Sequence, residues 1–167
     1  MKYVGIDVGL DGGIVALNED LSVFAATPMP TLGVGKTKRA IDEAAIVEFM
    51  EAVERRGNLF VVVEKAQAMP GQGVTSMFSY GVGFGVLRGI LSALHIPHEL
   101  TTPQSWQNVI LRGVQGDGTK GRSVLKCQQA IPTLNLKPGR YKAAHDGLAD
   151  SGCIALFAHH LRPPRTP

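Results

Sequence analysis

The sequence predicts an α/β domain built around one mixed β-sheet, and three observations support this class. Residues 2–8 and 12–18 have the pattern of two strands joined by a tight turn, because Asp-Gly-Gly at 11–13 is typical of turns. Residues 59–64, LFVVVE, form a continuous β-branched run, which is typical of a central strand buried on both faces. Helical patterns alternate with the later strands, as in layered α/β folds.

The first part of the chain predicts a third strand, a loop and a helix. The strand lies near residues 22–30, and the glycine- and lysine-rich residues 31–40 have the composition of a loop. Asp42 is the expected N-cap of a helix that ends at Gly57. The buried stripe of this helix is expected to consist of Ile46, Phe49, Met50 and Val53.

The rest of the chain predicts four more helices and one more strand. In order, these are a helix at about residues 75–94, a strand at 96–102, a short helix near 103–110, a helix at 123–131 and a last helix from Asp146 to about His160. Residues 112–122 have the composition of a loop. We expect a single domain over residues 1–160 and a flexible tail over 161–167.

The composition is that of an ordinary globular protein. With 167 residues, of which 44% are hydrophobic and 19% charged, the chain is long enough for one proper core. The longest weakly polar run, residues 79–94, is interrupted by Arg88 and rich in glycine, so we expect no membrane span. Two cysteines without disulfide or zinc spacing, and no apolar leader, favour the cytoplasm of a bacterium or of a phage-infected host.

The charge distribution favours a polyanionic partner. The net charge is only +3, but acids exceed bases up to Leu111 and bases exceed acids from Arg112 onward. A basic half joined to an acidic half is typical of nucleic-acid-binding proteins, and the alternative is a merely solvated lysine-rich face.

Carboxylates stand at the points where a site is expected. Asp7 ends the first strand and Glu64 ends the LFVVVE strand, and the carboxyl ends of adjacent central strands form sites in α/β sheets. Asp146 and Asp150 are four residues apart, so they share one face of the last helix. Packing that face over the strand ends would bring all of these side chains together.

A divalent cation would explain such a cluster. Neighbouring carboxylates repel each other, and oxygen ligands with open positions suit Mg²⁺ or Mn²⁺. Each residue also has an ordinary structural role open to it. Asp7 is suited to begin a turn, Glu64 to pair with Lys65 or an arginine, Asp146 to cap the helix, and Asp150 to face solvent.

Motifs through most of the chain resemble one family. GIDVGLDGG at residues 5–13, VVVEKAQAMPGQGVTSMFSYGVGFGVLRGIL at 61–91, TPQSWQ at 102–107 and AAHDGLADSGCIAL at 143–156 together resemble the RuvC-like Holliday junction resolvases of the ribonuclease H-like superfamily. The phage and plastid branch, with its HDG-x-A-acid motif, is the most similar.

The resemblance implies a fold, a partner and a metal site. It implies a five-stranded mixed sheet of order 3-2-1-4-5, with strand two antiparallel, in a homodimer that cuts four-way junction DNA. It further implies that Asp7, Glu64, Asp146 and Asp150 hold two Mg²⁺ ions, with Mn²⁺ as a substitute and no organic cofactor. The products would carry 5′-phosphate and 3′-hydroxyl ends.

The last motif adds one candidate and one departure. His145 is a candidate for contacting phosphate or water, and its alternative role is a helix-start histidine bonded to backbone. The two final acids are four residues apart, whereas bacterial RuvC usually has them three apart. Gly152 within the helix costs roughly 1 kcal/mol against alanine, so close packing is expected there.

Two groups of residues are candidates for contacting DNA. Phe78 and Met77, after the glycine-rich loop, are suited to stack on an unpaired base, with core packing as the alternative. The phosphate-binding candidates are Lys120, Arg122 and Lys126, and the loop residues Lys36, Lys38 and Arg39.

A glycine stripe at Gly81, Gly85 and Gly89 permits close backbone approach along one helix. We favour its packing onto the sheet, and the alternative is a dimer contact, which two symmetric cuts would require.

Three other functions remain open. One is a ribonuclease H-like nuclease without junction selectivity, such as an RNA–DNA hybrid nuclease or a transposase. Another is a sugar kinase or actin-like ATPase, disfavoured because its two-lobed fold needs a longer chain. The third is a DNA-binding module without activity, disfavoured because all the expected acids are present.

Overall fold

The computed structural model describes residues 1–36, 38–67, 71, 73–139 and 141–161. Its elements are β1 (Lys2–Asp7), β2 (Gly13–Leu17), β3 (Val23–Pro28), β4 (Thr31–Val34), β5 (Lys38–Ile41), α1 (Glu43–Glu54), β6 (Leu59–Glu64), α2 (Val74–Ala93), β7 (His98–Thr101), α3 (Pro103–Ile110), α4 (Gly118–Ala130) and α5 (Asp146–Leu161).

The main sheet has five strands in the order β3-β2-β1-β6-β7. The pairs β1–β2 and β2–β3 are antiparallel, whereas β1–β6 and β6–β7 are parallel. Since β6 and β7 are the fourth and fifth strands of this sheet, the order expected from the family resemblance is confirmed, including the antiparallel second strand.

Both faces of the sheet are covered by helices. Along β6, Val62 packs into a core cluster that includes residues of α3, α4 and α5. Its neighbours Val61 and Val63 point the other way, into a cluster with residues of α1 and α2. All three valines are fully buried, which confirms the prediction of a central strand with two apolar faces.

Helix α1 follows the sequence prediction closely. The side chain of Asp42 accepts a hydrogen bond from the Ala45 amide at 3.1 Å, which is an ordinary N-cap. Ile46, Met50 and Val53 are buried, and Phe49 is half-buried. The helix itself ends at Glu54, three residues before Gly57.

Helix α5 lies directly on the backbone of the sheet. A Cβ atom on Gly5 of β1 would stand 2.2 Å from the Ala155 nitrogen and from the Ser151 oxygen. A Cβ atom on Gly147 would stand 2.1 Å from the Asp11 oxygen, in the β1–β2 turn. Both distances are far below van der Waals contact, so only glycine allows the helix to sit at this depth.

Gly152 of the same helix shows the expected close packing. A Cβ atom there would meet the Cys127 sulfur at 2.8 Å and Leu134 Cδ2 at 3.0 Å. The penalty for glycine inside a helix is therefore offset by the contact of α5 with α4 and the segment after it.

Two element predictions are wrong. Residues expected to form a loop at 31–40 instead form the β4–β5 hairpin, a separate two-stranded antiparallel sheet. Helix α4 begins at Gly118, so Lys120 and Arg122 lie in its first two turns and not in a loop. In both places glycine-rich composition suggested irregular structure, and the pairing or packing of the neighbouring residues overrides it.

Helix α2 leaves much of its surface exposed. Gly81, Gly85 and Gly89 would each find nothing within 4 Å of an added Cβ atom, so the expected packing of this stripe onto the sheet is wrong. The side that packs inward carries Gly83, Leu87 and Leu91. By length and composition alone α2 is apolar enough to cross a membrane, with a mean hydropathy of 1.2 over its most apolar 18-residue window and only 17% of that window buried.

The structure tests the predictions for the C-terminal tail and for the glycine-rich loop only in part. Helix α5 runs one residue past His160, to Leu161. The tail prediction for residues 162–167 lies outside the described residues, as do residues 68–70 and 72 of the glycine-rich loop expected before Met77, at 65–74.

Candidate metal and nucleic-acid site

The two strand-end carboxylates come from adjacent parallel strands. Strands β1 and β6 pair with Ile6 opposite Val63, so Asp7 and Glu64 follow at the same edge of the sheet. Both side chains are partly buried. The amide of Gly9 donates to Asp7 Oδ1 at 3.3 Å, which anchors this carboxylate in the β1–β2 turn.

The electrostatics show that these carboxylates repel one another. Burial first, and then the charges of Glu64 and Asp150, raise the pKa of Asp7 to about 7. Burial also raises the pKa of Glu64, and the charge of Asp150 adds to the rise. Three acids from two strands and the last helix therefore lie close enough to oppose each other's ionisation.

Asp150 reaches this group from α5. Burial raises the pKa of its carboxyl, and the neighbouring Ser123 hydroxyl opposes the rise. No hydrogen bond of normal geometry joins the two: among the described residues, Asp150 Oδ1 and Ser123 Oγ are buried atoms without a partner. A buried carboxylate oxygen with no donor is a position where a cation would supply the missing interaction.

Asp146 begins α5 and faces the opening of the site. Its Oδ2 forms an ion pair with Lys120 Nζ at 2.9 Å, and the two side chains are 44% and 75% exposed. The charge of Asp146 also raises the pKa of Asp150, so the two acids of this helix do share a face.

The carboxylate oxygens at this edge are of the kind that a hard divalent cation prefers. Within the described part of the chain, no three His, Cys, Asp or Glu side chains already lie in a metal-binding cluster. The repelling carboxylates and the unpartnered Asp150 oxygen are, however, what Mg²⁺ or Mn²⁺ would stabilise.

A cleft of about 460 Å³ opens onto these acids. Its lining includes Asp7, Asp11, Lys120, Tyr141, His145, Asp146 and Asp150. Several acids and a lysine in one cleft would suit a phosphate group held against a bound divalent cation.

His145 has a structural role that can be read directly. Its side chain is buried, and its Nδ1 accepts a hydrogen bond from the Leu148 amide at 3.2 Å, so it caps α5. Burial lowers its pKa, which favours the neutral form that this cap requires. The ring also lines the cleft, where the predicted contact with phosphate or water stays a prediction.

Two aromatic residues lie at this edge, and the sequence analysis missed the contact of one of them, Trp106, with Glu64. Trp106 donates its indole N–H to Glu64 Oε1 at 2.7 Å, a partner different from the Lys65 or arginine of the alternative structural role. Burial, and then the charges of Glu64 and Asp7, raise the pKa of Tyr80, which places its hydroxyl near both carboxylates. A buried tryptophan needs a hydrogen-bond acceptor, and that need was the available signal for Trp106.

The predicted DNA contacts on α2 and on the β4–β5 hairpin are mostly exposed. Phe78 is 72% exposed on α2, so core packing is excluded for it, and Met77 is half-buried. On the hairpin, Lys36 and Lys38 are exposed, and Arg39 Nη2 forms an ion pair with Asp11 Oδ1 at 2.7 Å on the cleft rim.

The basic residues of α4 are placed differently from one another. Lys120 lies in the cleft, whereas Arg122 lines a separate groove with Gln107, Asn108 and Arg112. Arg122 also donates to the Leu111 carbonyl. Lys126 is half-buried farther along the helix.

A five-stranded mixed sheet of this order, with helices on both faces, is the ribonuclease H-like fold. No protein-family model and no curated protein sequence matches the chain.

Solved structures of one protein share this fold. RuvC of Thermus thermophilus in complex with a Holliday junction substrate is similar with a TM-score of 0.63 at 14% identity, over 96% of this chain and 92% of that one. A second Thermus thermophilus RuvC structure is similar with a TM-score of 0.57 at 18% identity, over 96% of this chain and 93% of the other. The chain therefore has the RuvC fold over nearly its whole length.

Proposed function

We propose that this protein is a divalent-metal-dependent endonuclease that resolves four-way DNA junctions by paired nicks. The observation that carries the proposal is the convergence of Asp7, Glu64 and Asp150 at one edge of a ribonuclease H-like sheet, with Asp146 at the cleft mouth. The similar RuvC structure contains a Holliday junction substrate, which supports junction DNA as the ligand class.

Residues of this chain are available to hold the metal ions and to contact a phosphate of the DNA. Asp7, Glu64, Asp146 and Asp150 would hold two Mg²⁺ ions, which when bound activate water and stabilise a departing oxygen. Lys120 offers its ammonium group to a phosphate at the cleft mouth once the ion pair with Asp146 opens. His145 fixes the start of α5, and with it the position of both helix acids.

A cleavage assay tests this proposal. The protein is incubated with Mg²⁺ and a labelled mobile four-way junction, with linear duplex and RNA–DNA hybrid of the same sequence as controls. We expect symmetric nicked duplexes from the junction only, with ends that a ligase can seal. Equal cutting of the hybrid or the linear duplex would instead indicate a ribonuclease H-like nuclease without junction selectivity.

The basic hairpin is proposed to contact a DNA arm. Replacing Lys36 and Lys38 together with alanine should weaken junction binding by roughly 10-fold and reduce the slope of log affinity against log salt by about 2. Neither exposed lysine has an ion pair among the described residues, so the loss reports phosphate contact. Gel-shift titrations at several salt concentrations measure both quantities.

The matched control for the hairpin variant is Arg55→Ala with Arg56→Ala. Both arginines are exposed, and replacing them removes the same amount of charge from the opposite end of the sheet. There Arg55 lines a groove with Met1 and Asn58. Equal weakening by both double variants would show that only net charge matters and would contradict a contact at the hairpin.

The exposed side of α2 is proposed as the homodimer interface. Val74 and Val82 are 80% and 49% exposed, and the neighbouring glycines leave room for a second backbone. Val82→Glu should convert a dimer into a monomer, because a charge would be buried without a partner. Light scattering coupled to size exclusion measures the mass.

A control at a similar site makes the dimer test specific. Val109→Glu on α3, where the native side chain is 39% exposed, should leave the dimer intact. A wild-type protein that is monomeric at micromolar concentration, or that partitions onto lipid vesicles through α2, would contradict the dimer.

A further inference from the structure

A hydrogen bond between a fully buried tryptophan and a proposed metal ligand is left unused by the mechanism above. Trp106 Nε1 lies 2.7 Å from Glu64 Oε1, across 42 residues of sequence. The side chain of Trp106 is only 1% exposed. A bond this short between a buried donor and a carboxylate is strong and is not replaced by water.

The local structure explains why the indole reaches Glu64. Strands β6 and β7 pair with Glu64 opposite Thr101, so the chain leaves both strands at the same edge. Thr102 then caps α3 by accepting from the Ser105 amide, and Pro103 starts the helix. The first turn of α3 therefore stands beside the end of β6, with Trp106 directed into the core under the acids.

An indole N–H is a more suitable hydrogen-bond donor to a metal-binding carboxylate than a cationic side chain would be. An indole N–H is neutral and does not titrate, so it orients the carboxylate without cancelling its charge. A lysine or arginine in the same place would compete with the metal for that charge. The bond engages Oε1 and leaves Oε2 without that donor, so the charge shared with Oε2 stays available to a cation.

We propose that Trp106 is a positioning residue that holds Glu64 in its metal-binding orientation. This inference rests on the proposed function, because it takes Glu64 to be a ligand. Groups that orient metal ligands typically change metal affinity by 10- to 100-fold when they are removed. Trp106 is also the only tryptophan in the sequence, so its fluorescence reports on this contact alone.

The first test compares Mn²⁺ affinity by calorimetry in the wild type, Trp106→Phe and Ile110→Ala. Ile110 lies on the same helix and in the same cluster, so its variant loses packing but no N–H. We expect Trp106→Phe to bind Mn²⁺ about 10-fold more weakly, and Ile110→Ala to bind as the wild type does. Cleavage by Trp106→Phe should recover at high Mn²⁺, with the junction KM unchanged.

The second test keeps Trp106 in place and compares the wild-type chain with Glu64→Gln. Trp106 emission should change on Mn²⁺ addition with the same midpoint as calorimetry, and Glu64→Gln should abolish the change. Unchanged wild-type emission at saturating Mn²⁺, or wild-type affinity in Trp106→Phe, would overturn the positioning role and leave the proposed function standing. Wild-type protein that binds no Mn²⁺ at all would overturn both.

Discussion

Asp7→Asn is expected to abolish cleavage of a four-way junction while leaving junction binding nearly unchanged. Asp7 ends β1, and the charges of both Glu64 and Asp150 raise its pKa, so its carboxylate is central to the proposed metal site. Metal ions contribute several kcal/mol of transition-state stabilisation, which corresponds to at least about a 1,000-fold loss of rate. Single-turnover cleavage in Mg²⁺ and gel-shift affinity in chelator measure the two properties separately.

Asp11→Asn is the matched control for this experiment. It makes the same chemical change on the rim of the same cleft, where the Asp11 side chain is 86% exposed and pairs with Arg39. Exposed ion pairs contribute little, so we expect cleavage within a few-fold of the wild type. If Asp7→Asn cleaves the junction as fast as Asp11→Asn does, the assignment of Asp7 as a metal ligand is wrong.

The metal-free protein is expected to become less stable as the pH rises from 5 to 8. The pKa of Asp7 is about 7 in the folded protein and 3.8 in a model peptide, so the folded state holds a proton that the unfolded state releases. An acid shifted upward contributes stability that is complete below about pH 4 and is lost as the pH rises through 7. For Asp7 this amounts to about 2–3 kcal/mol between pH 5 and pH 8.

Thermal unfolding in chelator measures this effect, which corresponds to a fall in Tm of roughly 5–10 °C for a chain of this size. Asp7→Asn removes one titrating group, so its Tm should be higher than that of the wild type at pH 8 and should fall less over the same range, where Glu64 and Asp150 still titrate. Adding Mg²⁺ at pH 8 should raise the Tm of the wild type more than that of the variant. A wild-type Tm that rises with pH would contradict the crowding of acids at this edge.

The sheet and its edge could be predicted because their signals are local. The run LFVVVE is apolar on both faces and ends in Glu64, so its central position and the placement of that acid follow from one pattern. The turn after Asp7 likewise carries its own signature in Asp-Gly-Gly. Strand order came from the family resemblance, since local patterns do not specify which strands are neighbours.

The features that were missed depend on distant contacts or on unusual backbone. The β4–β5 hairpin pairs Leu32 with Ala40 across a glycine-rich turn, and neither strand has a buried alternating face. Helix α2 is apolar on most sides, so its sequence does not show that Gly83 and Leu87 face inward while Gly85 faces out.

The bond from Trp106 to Glu64 was missed for a different reason. It joins residues on two elements through a side-chain rotamer, which no sequence spacing encodes. The sequence shows only that a lone tryptophan follows a capped helix start, and burial then requires an acceptor that the fold must supply.

The contact of α5 with β1 has a consequence for how far such a chain can diverge. Because the main chain at Gly5 touches the main chain at Ala155, the gap between Asp7 and Asp150 is a property of two backbones and not of interlocking side chains. Side chains at neighbouring positions can therefore change while the acids keep their spacing. Gly5 and Gly147 are the exceptions, since even the smallest side chain added at either position would lift the helix and separate the acids.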